Sequence, residues 1–280
     1  MIYLALSILC SALIFVIFKG FQKFEVDNFQ AIIVNYFIAC SLGLIVGFDS
    51  IPSSHPENWL LPCVIIGAIF ISLFILMAKV SQDLGVATAS VSVKMSVVIP
   101  VALGIFLYGD ELSFGLTIGI ILSLVAIFFI TQKESGFHFS YIKWPLVLFV
   151  GNGLLDSILK YAQTNYVEAS EISVFTAAGF GLAATSGMIA YPFMKNKSPL
   201  KKKNIFAGIV LGIPNFGTIY FLMMTLEHTK MKSSVFFPIN NIGIVLLSTL
   251  LSVWIFKEGL NRKNIIGIIL GVLSILLISN

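Results

Sequence analysis

The stretch Leu107–Ile130, LYGDELSFGLTIGIILSLVAIFFI, decides the fold because it recurs as Ile255–Ile278, IFKEGLNRKNIIGIILGVLSILLI. At a constant offset of 148, Asp110 falls on Glu258, Leu112 on Leu260, and Gly119–Leu122 on Gly267–Leu270. A second match, at offset 141, joins the starts of the two halves, where Lys19 falls on Lys160 and Gln22 on Gln163. Each half reads as five apolar segments. Two copies of an odd number of spans must enter a membrane in opposite directions, so the repeat predicts an inverted architecture.

Composition places the chain in a bilayer. Hydrophobic residues make up 58% and charged residues 11% of the 280, and the mean hydropathy is +1.00. A soluble domain carries roughly 25% charged residues to cover its surface. The net charge of +4 is no nucleic-acid signal, because the lysines cluster in short loops and form no basic amphipathic face. Cys10, Cys40 and Cys63 lie within apolar segments without CxxC spacing and read as packing residues. His55, His138 and His228 are scattered, so neither a metal centre nor a cofactor is expected.

A helix needs about 20 apolar residues to cross the hydrocarbon core. Ten segments qualify: 2–18, 30–47, 59–79, 84–108, 112–131, 143–163, 170–192, 204–225, 232–256 and 264–279. The expected fold is an all-α integral membrane protein of ten transmembrane helices, arranged as inverted five-helix repeats over residues 1–132 and 143–280. Residues 1–18 are read as the first span, not a signal peptide, since they lack a basic start and run on into the repeat. Of the 17 Lys and Arg, 13 lie in odd-numbered loops, among them Lys19, Lys23, Lys79, Lys201–Lys203 and Lys257. The termini and even-numbered loops hold only Lys230 and Lys232. Positive loops stay inside, so both termini are expected on the outer side of the cell's inner membrane.

With these features on the page, the chain resembles the EamA-type members of the drug/metabolite transporter superfamily. The likeness rests on Ile99-Pro100-Val101, Gly109-Asp110-Glu111-Leu112 and Gly119 in the first half, and on Lys257-Glu258-Gly259-Leu260 and Gly267 in the second. It covers nearly the whole chain. One departure stands out: Ser248 occupies the position of Pro100, while the second half's Pro238 lies over Ser90. The two fourth helices should therefore bend at different depths. The resemblance implies a carrier for a small metabolite, working by alternating access around a central cavity. It does not name the solute, because that superfamily handles amino acids, sugars, nucleotide-linked sugars, phosphates and drugs.

Asp110 and Glu258 follow one helix and precede the next, where a carboxylate caps amides and suits a helix dipole. The small-residue pairs Gly115/Gly119 and Gly267/Gly271 allow close helix approach. Ionisable groups inside spans are costly and mark function by default. Lys94, deep in ATASVSVKMSVVIP, is the clearest, with pairing to a carboxylate or helix carbonyls as the structural alternative. Asp156 is the deep carboxylate, in GNGLLDSILKYAQ. Asn152, Asp156 and Lys160 follow at intervals of four, so they share a helical stripe, although Lys160 could equally be a snorkelling lysine near the edge. Asn240 and Asn241 follow Pro238 and could turn free amides and carbonyls into a cavity, as could Asn215 after Pro214. Tyr220 and Tyr161 would be aromatic walls. Asn35 and Tyr36 are weaker, since one interhelical hydrogen bond explains them.

Two lysines against one aspartate favour an anionic or zwitterionic solute, amino-acid-like or a carboxylate. The leading reading is a secondary transporter for such a metabolite, with solute and lipid bilayer as its partners and no nucleic acid. Export of drugs or toxic metabolites is the alternative within the superfamily. An integral-membrane enzyme is the rival class; the spans show no Ser/His/Asp set, HExxH or phosphate loop to support it. A channel would show a filter-like loop or charge ring, and a scaffold would have no use for Lys94. Coupling ion, transport direction, and monomer against homodimer stay open.

Overall fold

The computed structural model describes residues 1–48, 56–108, 114–132, 139–168, 171–193, 199–228 and 233–278. Among these there is no β-strand. The α-helices are α1 (Ile2–Lys23), α2 (Asn28–Val46), α3 (Pro56–Leu84), α4 (Val86–Met95), α5 (Val98–Tyr108), α6 (Phe114–Ile130), α7 (Phe139–Tyr166), α8 (Ile172–Ala190), α9 (Lys202–His228), α10 (Ser233–Phe256) and α11 (Arg262–Ile278). Among the described residues, eight stretches are long and apolar enough to cross a membrane, and α6 is a shorter apolar helix. Large apolar side chains lie bare on their outsides, including Trp254 at 80% and Ile189 at 69%, an exposure suited to lipid rather than water.

Local chemistry sets the helix ends. The Asp27 carboxylate accepts from the amides of Phe29 (3.0 Å) and Gln30 (3.2 Å), satisfying two orphan donors at the start of α2. Lys257 takes φ 53° just beyond α10, a left-handed ending. Gly85 joins α3 to α4 with φ 101° and ψ 158°, which a side chain would strain.

The fourth predicted segment, 84–108, is two helices and not one. Pro100 has no N–H to offer the Ser96 carbonyl four residues back, and its ring crowds that oxygen. The Ser96 carbonyl instead accepts from the Ile99 amide at 2.9 Å, and the helix stops at Met95 and restarts at Val98. In the second half, Pro238 leaves α10 unbroken from Ser233 to Phe256. So close to the start of α10, Pro238 removes one bond of its first turns and the helix carries on. Pro214 likewise leaves α9 continuous.

The chain divides into two compact units, neither of which is a sequence half. The first comprises Met1–Lys19, Leu76–Leu154 and Thr218–Asn280; the second comprises Gly20–Ile75 and Leu155–Gly217. In the first unit α6 packs along α11 through the repeated glycines. A Cβ on Gly119 would lie 2.6 Å from Ile278 and 3.2 Å from the Ser274 carbonyl; on Gly267 it would lie 2.6 Å from the Ile130 amide and 2.9 Å from the Ala126 carbonyl. Subtracting 148 from 274 and 278 returns 126 and 130, so the contacts are reciprocal, start of one helix on end of the other. Ser274 adds a hydrogen bond to the Gly119 carbonyl at 2.7 Å. In the second unit α2 and α8 meet likewise, Gly43 on Ala177 and Gly187 on Ile33.

Candidate functional site

The first unit holds the broken segment and its lysine. Along α4, Ala87, Val91 and Met95 recur every four residues and enter a core with Ile127, Phe149, Val245 and Ile268. A second stripe is hydroxylic and closes on its own backbone: Thr88 bonds the Leu84 carbonyl at 3.0 Å, Ser92 that of Thr88 at 2.8 Å, and Ser96 that of Val93 at 2.6 Å. Such back-bonding satisfies buried hydroxyls and favours bending. Lys94 is the half-buried exception in this otherwise buried helix. It occupies the last turn of α4, where a cation complements the negative end of the helix dipole.

The break is braced from α7. The Asn152 amide donates to the Ser96 hydroxyl at 3.0 Å, and neighbouring Gly153 allows the approach, since a Cβ there would sit 2.5 Å from Ile99. Asn240 on α10 is 5% exposed, and its Oδ1 has no hydrogen-bond partner among the described residues. Asn241 and Tyr220 are half-buried in the same unit. Lys94, Asn152, Tyr220, Asn240 and Asn241 therefore fall in the first unit, whereas Asp156, Lys160 and Asn215 fall in the second. Asp156 is half-buried and Lys160 exposed, and α7 runs unbroken from Asn152 through both. Asn215 is 6% exposed with its Nδ2 unbonded among the described residues.

Three groups carry more weight than the sequence assigned them. Asn35 is fully buried and neither amide atom has a described hydrogen-bond partner, while adjacent Tyr36 donates to the Phe70 carbonyl at 3.0 Å. Glu171 is 1% exposed and accepts from the Trp59 indole at 3.4 Å, so it is more deeply buried than the half-buried Asp156. Glu258 caps a helix as expected, but that helix is α4: the Val86 amide donates to its Oε2 at 3.2 Å. Asp110, its counterpart, lies outside the described residues. Lys19 meets Glu258 Oε1 at 3.3 Å. That oxygen is reached by charge and not by an aligned hydrogen bond.

Beside this pair lie two adjoining recesses of about 420 and 210 Å³, both lined by Leu84, Thr88, Gly259, Leu260 and Asn264. Gln132 and Asn261 border the larger; Lys19, Asp83 and Glu258 border the smaller. Asn261 and Asn264 donate to the Gln132 and Ile130 carbonyls, each at 2.8 Å, closing the end of α6. Lys19 carried one available signal, its recurrence as Lys160.

A family model described as the EamA-like transporter family matches residues 1–132 and again 143–280. The chain belongs to the EamA-like transporter family. It is a multi-pass membrane protein of the drug/metabolite transporter kind, and EamA proteins are transporters rather than enzymes. An uncharacterized protein of Haemophilus influenzae (strain ATCC 51907 / DSM 11121 / KW20 / Rd) is 26% identical over 288 residues, spanning 97% of this chain and 95% of its own. A protein of known crystal structure, 17% identical, superposes with a TM-score of 0.61 over 99% of this EamA chain and 94% of its own. That likeness speaks to the fold alone.

Proposed function

We propose that this EamA-like protein is a secondary transporter of a small anionic or zwitterionic metabolite, and that Lys94 binds the solute's carboxylate or phosphate. The observation that carries the reading is the helix break at Ser96–Val97, two residues beyond a lysine set well inside an apolar stretch. Interrupted helices place backbone dipoles and unpaired polar groups where a solute can reach them. The companions proposed for Lys94 in its unit, Asn152, Tyr220, Asn240 and Asn241, are neutral and can hydrogen-bond a polar solute beside its charge. In the second unit Asp156, Lys160 and Asn215 are proposed as solute contacts in their own right.

Ten spans in two inverted repeats, residues 1–132 and 143–280, fit this mechanism, and the reciprocal contacts of α6 and α11 support them. The lysine distribution supports termini on the outer face. A reporter active only outside the cytoplasm should then work fused after Asn280 and stay silent near Lys201–Lys203.

The decisive experiment is a melting-temperature screen of purified protein against amino acids, carboxylates, phosphates and cationic drugs. A ligand present at 100 times its Kd stabilises the folded state by about 2.7 kcal/mol. An anionic or zwitterionic solute should raise the melting temperature of the native chain, and Lys94→Met should erase that shift. Stabilisation by cationic drugs alone would replace this reading with drug export.

A further inference from the structure

Helix α4 is ten residues long and has a joint at each end. Its start follows Gly85, whose φ of 101° only glycine adopts freely; its end is the Ser96–Val97 break. One carboxylate holds the starting joint shut. Glu258, from the second half, accepts from the Val86 amide at 3.2 Å and from the Ser252 hydroxyl, and it faces Lys19 at 3.3 Å. Lys19 in turn donates to the Gln82 carbonyl at 2.8 Å, and the Gln82 side chain returns a bond to the Phe18 carbonyl at 2.9 Å. Gly85 is also where Glu258 must come close, since a Cβ there would lie 3.0 Å from Oε1.

The segment that delivers Glu258 is bare on both sides of the carboxylate and is anchored just beyond it, where Leu260 packs on the core and Asn261 bonds the Gln132 carbonyl. Lys257 and Gly259 on either side of Glu258 are exposed, and a Cβ on Gly259 would touch nothing within 4 Å. The carboxylate therefore stays in place by charge and hydrogen bonds and not by apolar packing. Its neighbours Thr88 and Leu84 border open space already.

We propose that Glu258 is a latch on α4: while it grips Lys19 and the Val86 amide the recess is shut along α4, and its release lets α4 tilt about Gly85 and the Ser96–Val97 break. The helix so released is the one that carries Lys94. The latch does not depend on Lys94 binding solute, so its failure and that of the transport assignment are separately visible.

The test is thiol labelling of the full chain in lipid nanodiscs with a neutral maleimide. The background is Cys10→Ala with Cys40→Ala, keeping Cys63, which is fully buried, as a monitor of general unfolding. Leu84→Cys supplies the reporter on the recess. Glu258→Gln and Lys19→Met should each speed labelling of the L84C thiol on the order of tenfold, as expected when a partly buried ion pair biasing two states is lost. Cys63 should stay protected, and Lys19→Arg should label at the parent rate. The two latch variants change local charge in opposite senses, so a common acceleration reports opening and not thiol ionisation. Parent rates in both variants would overturn the latch. Labelling of Cys63 in step with L84C would also overturn it, by showing a structural tie whose loss unfolds the protein.

Discussion

The stretch Val86–Tyr108 and helix α10 occupy the same place in the two halves, yet one is broken and the other is not. At the offset of 148 the stretch maps onto 234–256, almost the whole of α10. Each contains a proline. Pro100 falls mid-segment, so the carbonyl it strands, that of Ser96, lies where no terminal turn can absorb the loss. Pro238 lies in the second turn of α10, where one lost bond leaves the helix continuous from Ser233 to Phe256. The lysine follows the break: Lys94 stands where α10 has Ile242, which packs against the first unit's core. A repeat can thus keep its packing in both copies and differ in one copy's proline and lysine.

The sharpest attack on this contrast is to give α10 its own lysine. Ile242→Lys places a charge in a continuous, apolar helix and should cost about 3 kcal/mol, the insertion penalty of a mid-span lysine. It is read as a lowered melting temperature in detergent. Removing the charge from the broken copy should act on binding and leave the fold alone. Lys94→Met is expected to weaken solute affinity about a hundredfold, the weight of a charge-assisted hydrogen bond, with little change in the ligand-free transition. Strong loss of ligand-free stability would make Lys94 a structural partner of a carboxylate instead, and Asp156→Asn should then restore part of it.

Gly153→Leu pushes α7 off Ile99 and should destabilise by about 1–3 kcal/mol through overpacking, again seen in the melting temperature. Healing the break should do the reverse. Pro100→Ala returns an amide to the Ser96 carbonyl and should gain about 1 kcal/mol of stability while slowing transport. Pro238→Ala should change both by less. Smallest of all, Asn152→Ala removes the bond to Ser96 and should cost about 1 kcal/mol or less; an equal loss in the Pro100→Ala background would show that the brace does not serve the break.

Apolar length placed the helices well, because the 20-residue hydrocarbon thickness speaks directly through composition. The glycine seam was legible too, since Gly119 and Gly267 recur at one offset and small residues have few other uses in lipid. The broken helix was visible only as a bend. Pro100 announces a lost bond, but whether the chain kinks or restarts depends on Ser96 finding the Ile99 amide and Asn152. Glu258 announced a cap and not its owner, for α4 begins 172 residues away in sequence. Glu171 drew no notice at the edge of its span, and Trp59 from another helix meets it where it is buried. Side chains at the site could be nominated by type and depth, whereas partners fixed by tertiary contact leave no local trace.

The seam of α6 and α11 has a consequence for how such a molecule comes to exist. A surface on which position 119 meets 274 and position 267 meets 126 is one that fits its own copy about a two-fold axis. A single half already carries everything that this interface needs. Two separate half-chains inserted in opposite directions would meet as a symmetric dimer, and joining them in one chain fixes their ratio and orientation. Only after that joining can one copy acquire Pro100 and Lys94 without imposing them on the other.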